Sequence, residues 1–429
     1  MIQRFRKKTY NFLRWGEKYT KTDNVYLAKG GFWLNGRQGL TFLSSFGLAL
    51  LFARLIPKEV YGNYKYILSL AGLISTFSLT GISSAILQSV ARGFPGTFIL
   101  AVKILARWNS LVFAIAISVA IYYLANNNQT LGYGMVIVAF LFPAIRTFGV
   151  YESYTNGKRN FRQGAIYRGT VDIAAIFATA IGLFFTDSVL LLVAINLSTQ
   201  FVLDAIFFKK IYQSITEEEK TMVEPGIIKF SKHLSLQNVL NNIASYVDKI
   251  FIFHFLGAAE VAIYTFATAI PQQVKGLASS LVFLITPKIS QRNAKEAVGM
   301  IRGRFLLSLV ILIPIIVLYV ILAPVIFKIL FPTYTDSVSL TRWYALIFLL
   351  IGNLSGLVLT TQKAVKEQYI LTTFGSTSQI VLMLVLFYQF GIVGIIWGIL
   401  ISKYMTAILS YVLAKRFARE RATETIYIK

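Results

Sequence analysis

Cysteine is absent from the 429 residues, and histidine occurs only twice. Disulfides and thiolate chemistry are thereby excluded, and a histidine-rich metal site lacks its ligands. Charge is scarce too: 14% of residues are Asp, Glu, Lys or Arg, against roughly 25% in soluble domains. No GxxxxGK[ST] loop is present to cradle a nucleotide phosphate, and no DxD pair offers a glycosyltransferase centre. No cofactor is expected. The start, MIQRFRKKTYNFLRWGEKYTKTDN, lacks the apolar core of a secretory signal. It reads as a basic cytoplasmic tail. Phe5, Phe12 and Leu13 form one face of a short helix on anionic lipid, or the segment is a disordered leader.

What the chain has in excess is hydrocarbon. It is 56% hydrophobic and 14% aromatic, with mean hydropathy +0.65. Apolar runs of the ~20 residues needed to cross a ~30 Å hydrocarbon layer recur along it. They predict an all-α integral membrane protein with about twelve spans. The first six lie near 30–55, 62–88, 99–124, 131–151, 164–186 and 187–207. The second six lie near 231–256, 260–285, 303–325, 340–361, 369–389 and 392–414. Barrel strands would show ~10-residue alternation instead.

A net charge of +24 would suit a nucleic-acid partner by magnitude alone. The positions of the charges exclude one. Thirty-three of the 42 Lys and Arg fall in the two tails and in every second connection. That set includes Arg146, Lys158, Arg159, Arg162 and Arg168, assigned to the fourth connection. The other side holds Arg54, Lys58, Lys328 and Arg342. This asymmetry places both termini in the cytoplasm, in a multi-pass protein of the cell membrane whose first partner is the lipid bilayer.

The organisation follows. Residues 1–29 are a basic cytoplasmic tail and 30–208 a six-helix lobe. Residues 209–230, with Glu217, Glu218 and Glu219, are a solvated linker; 231–414 are a second six-helix lobe and 415–429 a basic tail. Shifted by 200 positions, RLIPKEVYGNYKYI (54–67) lies against HFLGAAEVAIYTFA (254–267). Two such halves, both starting inside, are parallel repeats that hold cargo between them and rock about it. Pro143, Pro271, Pro287, Pro314 and Pro324 can kink the spans in or beside which they fall.

Charges within spans need a reason, since each costs about 2.5–3.5 kcal/mol on insertion scales. Arg37 lies in span 1 beside Asn35 and Gln38; Lys275 lies in span 8 and Lys403 in span 12. Asp172 and Asp204 lie nearer the cytoplasmic ends of spans 5 and 6, and Arg54 and Lys65 flank the first outer turn as gate candidates. In SYVDKIFIFHFLG, Asp248 and Lys249 are adjacent in span 7. Neighbouring helical residues diverge by about 100°, so the two are expected to point apart, one into an aqueous vestibule and one toward protein or headgroups. Both are candidates for ion coupling, and Asp248 also for a salt bridge between the lobes.

Several stretches resemble one family. They are LAKGGFWLNGRQGLTFL (27–43), ARLIPKEVYGNYKYILS (53–69), GISSAILQSVARG (81–93) and NGKRNFRQGAIYRG (156–169). With them go VDKIFIFHFLGAAEVAIYTFA (247–267), FLITPKIS (283–290) and VIFKILFPTYTDS (325–337). Their order and spacing look like the polysaccharide-biosynthesis, O-antigen type flippases of the multidrug/oligosaccharidyl-lipid/polysaccharide exporter superfamily. The resemblance implies twelve helices in two lobes around a central cavity. It implies translocation of an undecaprenyl-diphosphate-linked oligosaccharide to the outer leaflet, for O-antigen, capsule or exopolysaccharide. A polysaccharide polymerase and chain-length machinery are the partners it implies; with no nucleotide site, energy comes from an ion gradient (H+ or Na+), the membrane potential or downstream consumption of cargo. For such a cargo, Arg37 and Lys275 are the expected phosphate ligands, with Asn35 and Gln38 beside them. Lipid II flippases of the superfamily use basic residues in equivalent spans; Arg37 matches in type and Lys275 only in charge. The alternatives are a multidrug efflux antiporter, which would favour an acidic cavity, and a membrane-embedded glycan polymerase or glycosyltransferase, which would need larger outer loops.

Overall fold

A computed structural model of the protein describes residues 24–283, 294–362 and 364–427. The basic tail through Lys21, most of FLITPKIS and Lys363 lie outside those residues. Among the described residues every regular element is helical, as a chain that must satisfy its own backbone in hydrocarbon requires.

The first half runs α1 (Asn24–Leu55), α2 (Lys58–Ile74), α3 (Ile82–Ala91), α4 (Thr97–Ala125), α5 (Gln129–Phe148), α6 (Tyr151–Gly157), α7 (Phe161–Gly182) and α8 (Val189–Gln213). After the short α9 (Glu217–Thr221) come α10 (Ile227–Leu256), α11 (Ala258–Phe283), α12 (Ala294–Leu330), α13 (Ser337–Tyr344), α14 (Ser355–Thr361) and α15 (Val365–Tyr427). Local chemistry sets the ends. Pro57, with φ −58° and ψ 152°, separates α1 from α2. Asn128 and Asn160 cap α5 and α7, accepting from the N–H of Leu131 at 3.1 Å and of Gln163 at 3.3 Å. α15 reverses at Gly391, whose φ of 58° and ψ of −137° suit no residue with a Cβ.

Seven helices are individually long and apolar enough to cross a membrane, and nine if two bent pairs each count as one span. Those pairs are α2 with α3, bent by 59°, and α13 with α14, bent by 44°. α15 reverses direction at Gly391, and α10 and α11 are of similar length to the qualifying helices without being among them. The offset near 200 recurs in helix starts: Lys58 and Ala258 open α2 and α11, and Phe161 and Val365 open α7 and α15.

α1 packs on α7, while α4 and α8 pack on α5. α2 joins the halves by packing on both α10 and α11. The join is tightest at the face opposite the termini. There Lys58 Nζ lies 2.7 Å from Asp336 Oδ2, Arg54 Nη2 donates to the Ile329 carbonyl at 3.2 Å, and Thr333 Oγ1 donates to the Ala53 carbonyl at 2.7 Å. Tyr66 stacks on Phe253 at 3.6 Å, and Tyr61 meets Phe266 at 4.9 Å. Phe253 therefore packs between the halves. At the terminal face the Gly81 N–H donates to Ser235 Oγ at 2.9 Å, and Lys232 lies over Trp108.

The connection between the halves is held rather than loose. Lys158 reaches Glu219 at 2.5 Å, Arg92 reaches Glu224 at 2.7 Å, Ser89 also donates to Glu224, and the Glu224 N–H donates to Thr97 Oγ1 at 3.0 Å. The Lys158 hydrogen bond holds the Glu219 carboxyl below its ordinary 4.5. Burial pushes Glu224 up, but its bonds from Ser89 and Arg92 outweigh that and hold it low as well. A depressed carboxyl stabilises the folded form above its ordinary value and loses that contribution as pH falls through the lowered one. Amide exchange of residues 216–226, corrected for intrinsic rates, should therefore rise as pH drops below about 4.5. Unchanged protection down to pH ~3 would show that these carboxylates do not anchor the segment.

Candidate functional site

Pro143 removes a helical donor within α5, which continues to Phe148, and its own carbonyl collects side-chain donors. Thr147 Oγ1 donates to the Pro143 carbonyl at 2.8 Å and Asn109 Nδ2 at 3.0 Å, while Ser78 Oγ donates to Asn109 Oδ1 at 2.6 Å. The chain then turns at Gly149 and resumes as α6. This two-part passage carries Arg146 and Glu152 to the wall of one cavity of about 340 Å³. Arg168 of α7, Gln200 of α8, and Ser78, Thr80, Ser83 and Ser153 complete its polar lining.

The charges around it form a set. Arg37 Nη1 lies 2.6 Å from Glu152 Oε1. Arg168 reaches Asp172 Oδ1 at 3.0 Å and Asp204 Oδ2 at 3.3 Å, and the Tyr151 hydroxyl donates to Asp204 Oδ1 at 3.1 Å. Asp204 is wholly buried, which is tolerable only because both oxygens are engaged. Arg146 differs: it is exposed to the cavity and makes no ion pair among the described residues. Three arginines meet three carboxylates, and the one unmatched guanidinium looks into the water-accessible space.

Arg146 and Arg168 thus belong to the spans α5 and α7, not to a surface connection as charge counting had them. Glu152 escaped notice altogether. The Arg168–Asp172 spacing of four was the available sign, because i and i+4 share a helix face.

Arg37 and Lys275 are not brought to each other. Arg37 pairs within the first half, whereas Lys275, on α11, lies within electrostatic reach of Lys403 on α15. Asn35 and Gln38 are exposed on α1. Asp248 is 6% exposed and, among the described residues, takes no partner from the first half. Its Oδ2 accepts from the Tyr264 hydroxyl at 2.7 Å and its Oδ1 from the Lys249 N–H at 2.8 Å. Nor do Asp248 and Lys249 part company: Lys249 Nζ curls back to 3.7 Å from Asp248 Oδ1. The 100° between adjacent Cβ directions is spanned by the four-carbon lysine stem. Asp248 ties α10 to α11. Lys65 sits over the rings of Tyr61 and Tyr64 at 5.3 and 5.9 Å. Among the described residues no three His, Cys, Asp or Glu side chains could hold a metal ion.

Fold and site define a multi-pass, all-helical membrane protein of the transporter architecture found in the MOP superfamily. An inward-facing multidrug resistance MATE family transporter of that superfamily superimposes with TM-score 0.62 and 13% identity, over 89% of this chain and 95% of the other. Lipid II flippase MurJ in an inward closed conformation gives TM-score 0.64 and 16% identity, over 89% and 87%. An outward-facing MATE transporter gives 0.55 and 16%, over 91% and 96%. At these identities the likeness is one of fold. No curated sequence matches the chain. Residues 27–293 match the family described as polysaccharide biosynthesis protein, and the chain belongs to that family.

Proposed function

We propose that this protein moves an undecaprenyl-diphosphate-linked oligosaccharide from the cytoplasmic to the outer leaflet of the cell membrane by alternating access. The observation that carries the reading is Arg146, an arginine without a carboxylate partner, open to a polar cavity within a membrane-embedded half. Membership of the polysaccharide-biosynthesis family supports it. A diphosphate cannot enter bare hydrocarbon, and a guanidinium fork matches two of its oxygens. With the far face bridged by Lys58–Asp336 and Arg54–Ile329, the arrangement suits admission from the face that bears the termini. Positive charge on that face supports a cytoplasmic assignment. A cationic drug, the cargo of an efflux antiporter, would meet Arg146 as a repulsion.

The test is deletion of the protein in its own host, with lipid extraction and leaflet-selective labelling. Undecaprenyl-diphosphate sugars should accumulate in the inner leaflet and surface polysaccharide should be lost. Unchanged lipid intermediates, with tolerance to cationic dyes gained on expression, would favour efflux instead.

A further inference from the structure

A second recess of the first half is of opposite character. Between α1 and α7 runs a groove of about 660 Å³, walled by Phe32, Trp33, Leu40, Ile166, Ile173 and Ala174. Phe32 and Leu40 are exposed, so the groove is open along the terminal half of α1. It and the charged cavity share a partition. Arg37 lines the groove and Glu152, 2.6 Å away, lines the cavity. Gly169 lines the groove and its neighbour Arg168 lines the cavity. The partition is fitted closely: a Cβ at residue 169 would lie 3.0 Å from Arg37 Cγ, so the arginine stem would have to shift by a few tenths of an ångström to admit one.

We infer that the groove between α1 and α7 holds the hydrocarbon chain of the lipid-linked cargo while its anionic head passes the Arg37–Glu152 pair to reach Arg146. This rests on the flippase reading above. Apart from Arg37 and Thr170, the groove offers hydrocarbon walls, which suit a chain and not a sugar or phosphate. The cavity offers Arg146, Arg168 and a predominantly polar surface, which suit an anionic head better than an acyl or isoprenoid chain. One ligand class satisfies both at once, an anion joined to a long hydrocarbon. The partition suits such a head because a phosphate can replace the Glu152 carboxylate on Arg37, one anion exchanged for another on the same guanidinium. The partition's place on the terminal half of α1 puts it in the leaflet from which the cargo starts.

The experiment uses the full-length protein in vesicles of phosphatidylethanolamine and phosphatidylglycerol. The probe is geranylgeranyl diphosphate with a diazirine on its terminal isoprene. After irradiation, label should map to residues 32–40 and 165–174. Ala174→Trp, which fills the groove, should lower it at least tenfold, as should Arg146→Ala, which removes the anchor for the head. Ile166→Trp, at an exposed position, serves if Ala174→Trp fails to accumulate. Label outside the groove overturns the inference. So does equal labelling by photoreactive phosphatidylglycerol, which would mark ordinary bilayer lipid as the occupant. Failure of the flippase reading is told apart by the deletion strain. If lipid intermediates do not accumulate there, that reading falls whatever the labelling shows. If they accumulate, yet the groove stays unlabelled and Ala174→Trp keeps full surface polysaccharide, the groove assignment alone falls.

Discussion

Arg146→Ala is expected to abolish surface polysaccharide while leaving the protein in the membrane at its normal level. Because Arg146 makes no ion pair among the described residues and is exposed to the cavity, its removal orphans no buried carboxylate. The folded state should hardly notice the change. A charge-assisted hydrogen bond to an anion contributes about 1.5–3 kcal/mol. At 1.4 kcal/mol per tenfold, the head should bind roughly ten- to 150-fold more weakly. Arg146→Lys should recover only part of the loss, since an ammonium keeps the charge without the fork. Quantitative blotting of membranes beside surface glycan measures both quantities. Full glycan in Arg146→Ala would remove the site from consideration. Arg37→Ala makes a useful contrast, because it frees Glu152 at the same wall and should cost both function and stability.

Asp204→Ala should fail in the opposite manner, through folding. Asp204 is wholly buried, with Arg168 on one oxygen and the Tyr151 hydroxyl on the other. Breaking a buried pair by deleting one partner typically costs about 3–5 kcal/mol, because the remaining charge keeps its desolvation penalty. Here Asp172 still engages Arg168, so the lower end of that range is expected. The protein should be depleted from membranes, or aggregate at markedly lower temperature in detergent. The triple variant Arg168→Leu, Asp172→Asn, Asp204→Leu should regain much of the loss, since it leaves none of the charges that meet at Arg168 uncompensated. Fluorescence-detected size exclusion after a heating series reads this directly. An Asp204→Ala protein as heat-resistant as the parent would show that the cluster is not structural.

The two variants separate roles that charge counting had merged. Arg146 and Arg168 read alike in sequence, as members of one basic connection. The first faces water without a partner and the second holds two carboxylates. Asp248 and Asp204 also read alike, as acids in spans, yet each is tied to a tyrosine: Tyr264 in the second half and Tyr151 in the first. Tyrosine was the partner overlooked. Its hydroxyl is invisible to a search for opposite charges, though it satisfies a buried carboxylate oxygen as a hydrogen-bond donor.

Hydropathy alone determined that the chain is helical and membrane-embedded, and its apolar runs fall largely on the described helices. The reason is that hydrocarbon forces every span to be apolar over a fixed length, a constraint written into each segment separately. The 200-residue offset was legible too, since a repeated helix carries its turn residues with it, as at Lys58 and Ala258. The pairings were not. Which guanidinium is matched and which is left over depends on contacts such as Arg37 with Glu152, 115 positions apart. Such contacts are set by how the chain, interrupted at Gly149 between α5 and α6, turns its side chains toward α1, α7 and α8. Only the tertiary packing decides them, because a charge within a span records that burial has been offset but not by which partner.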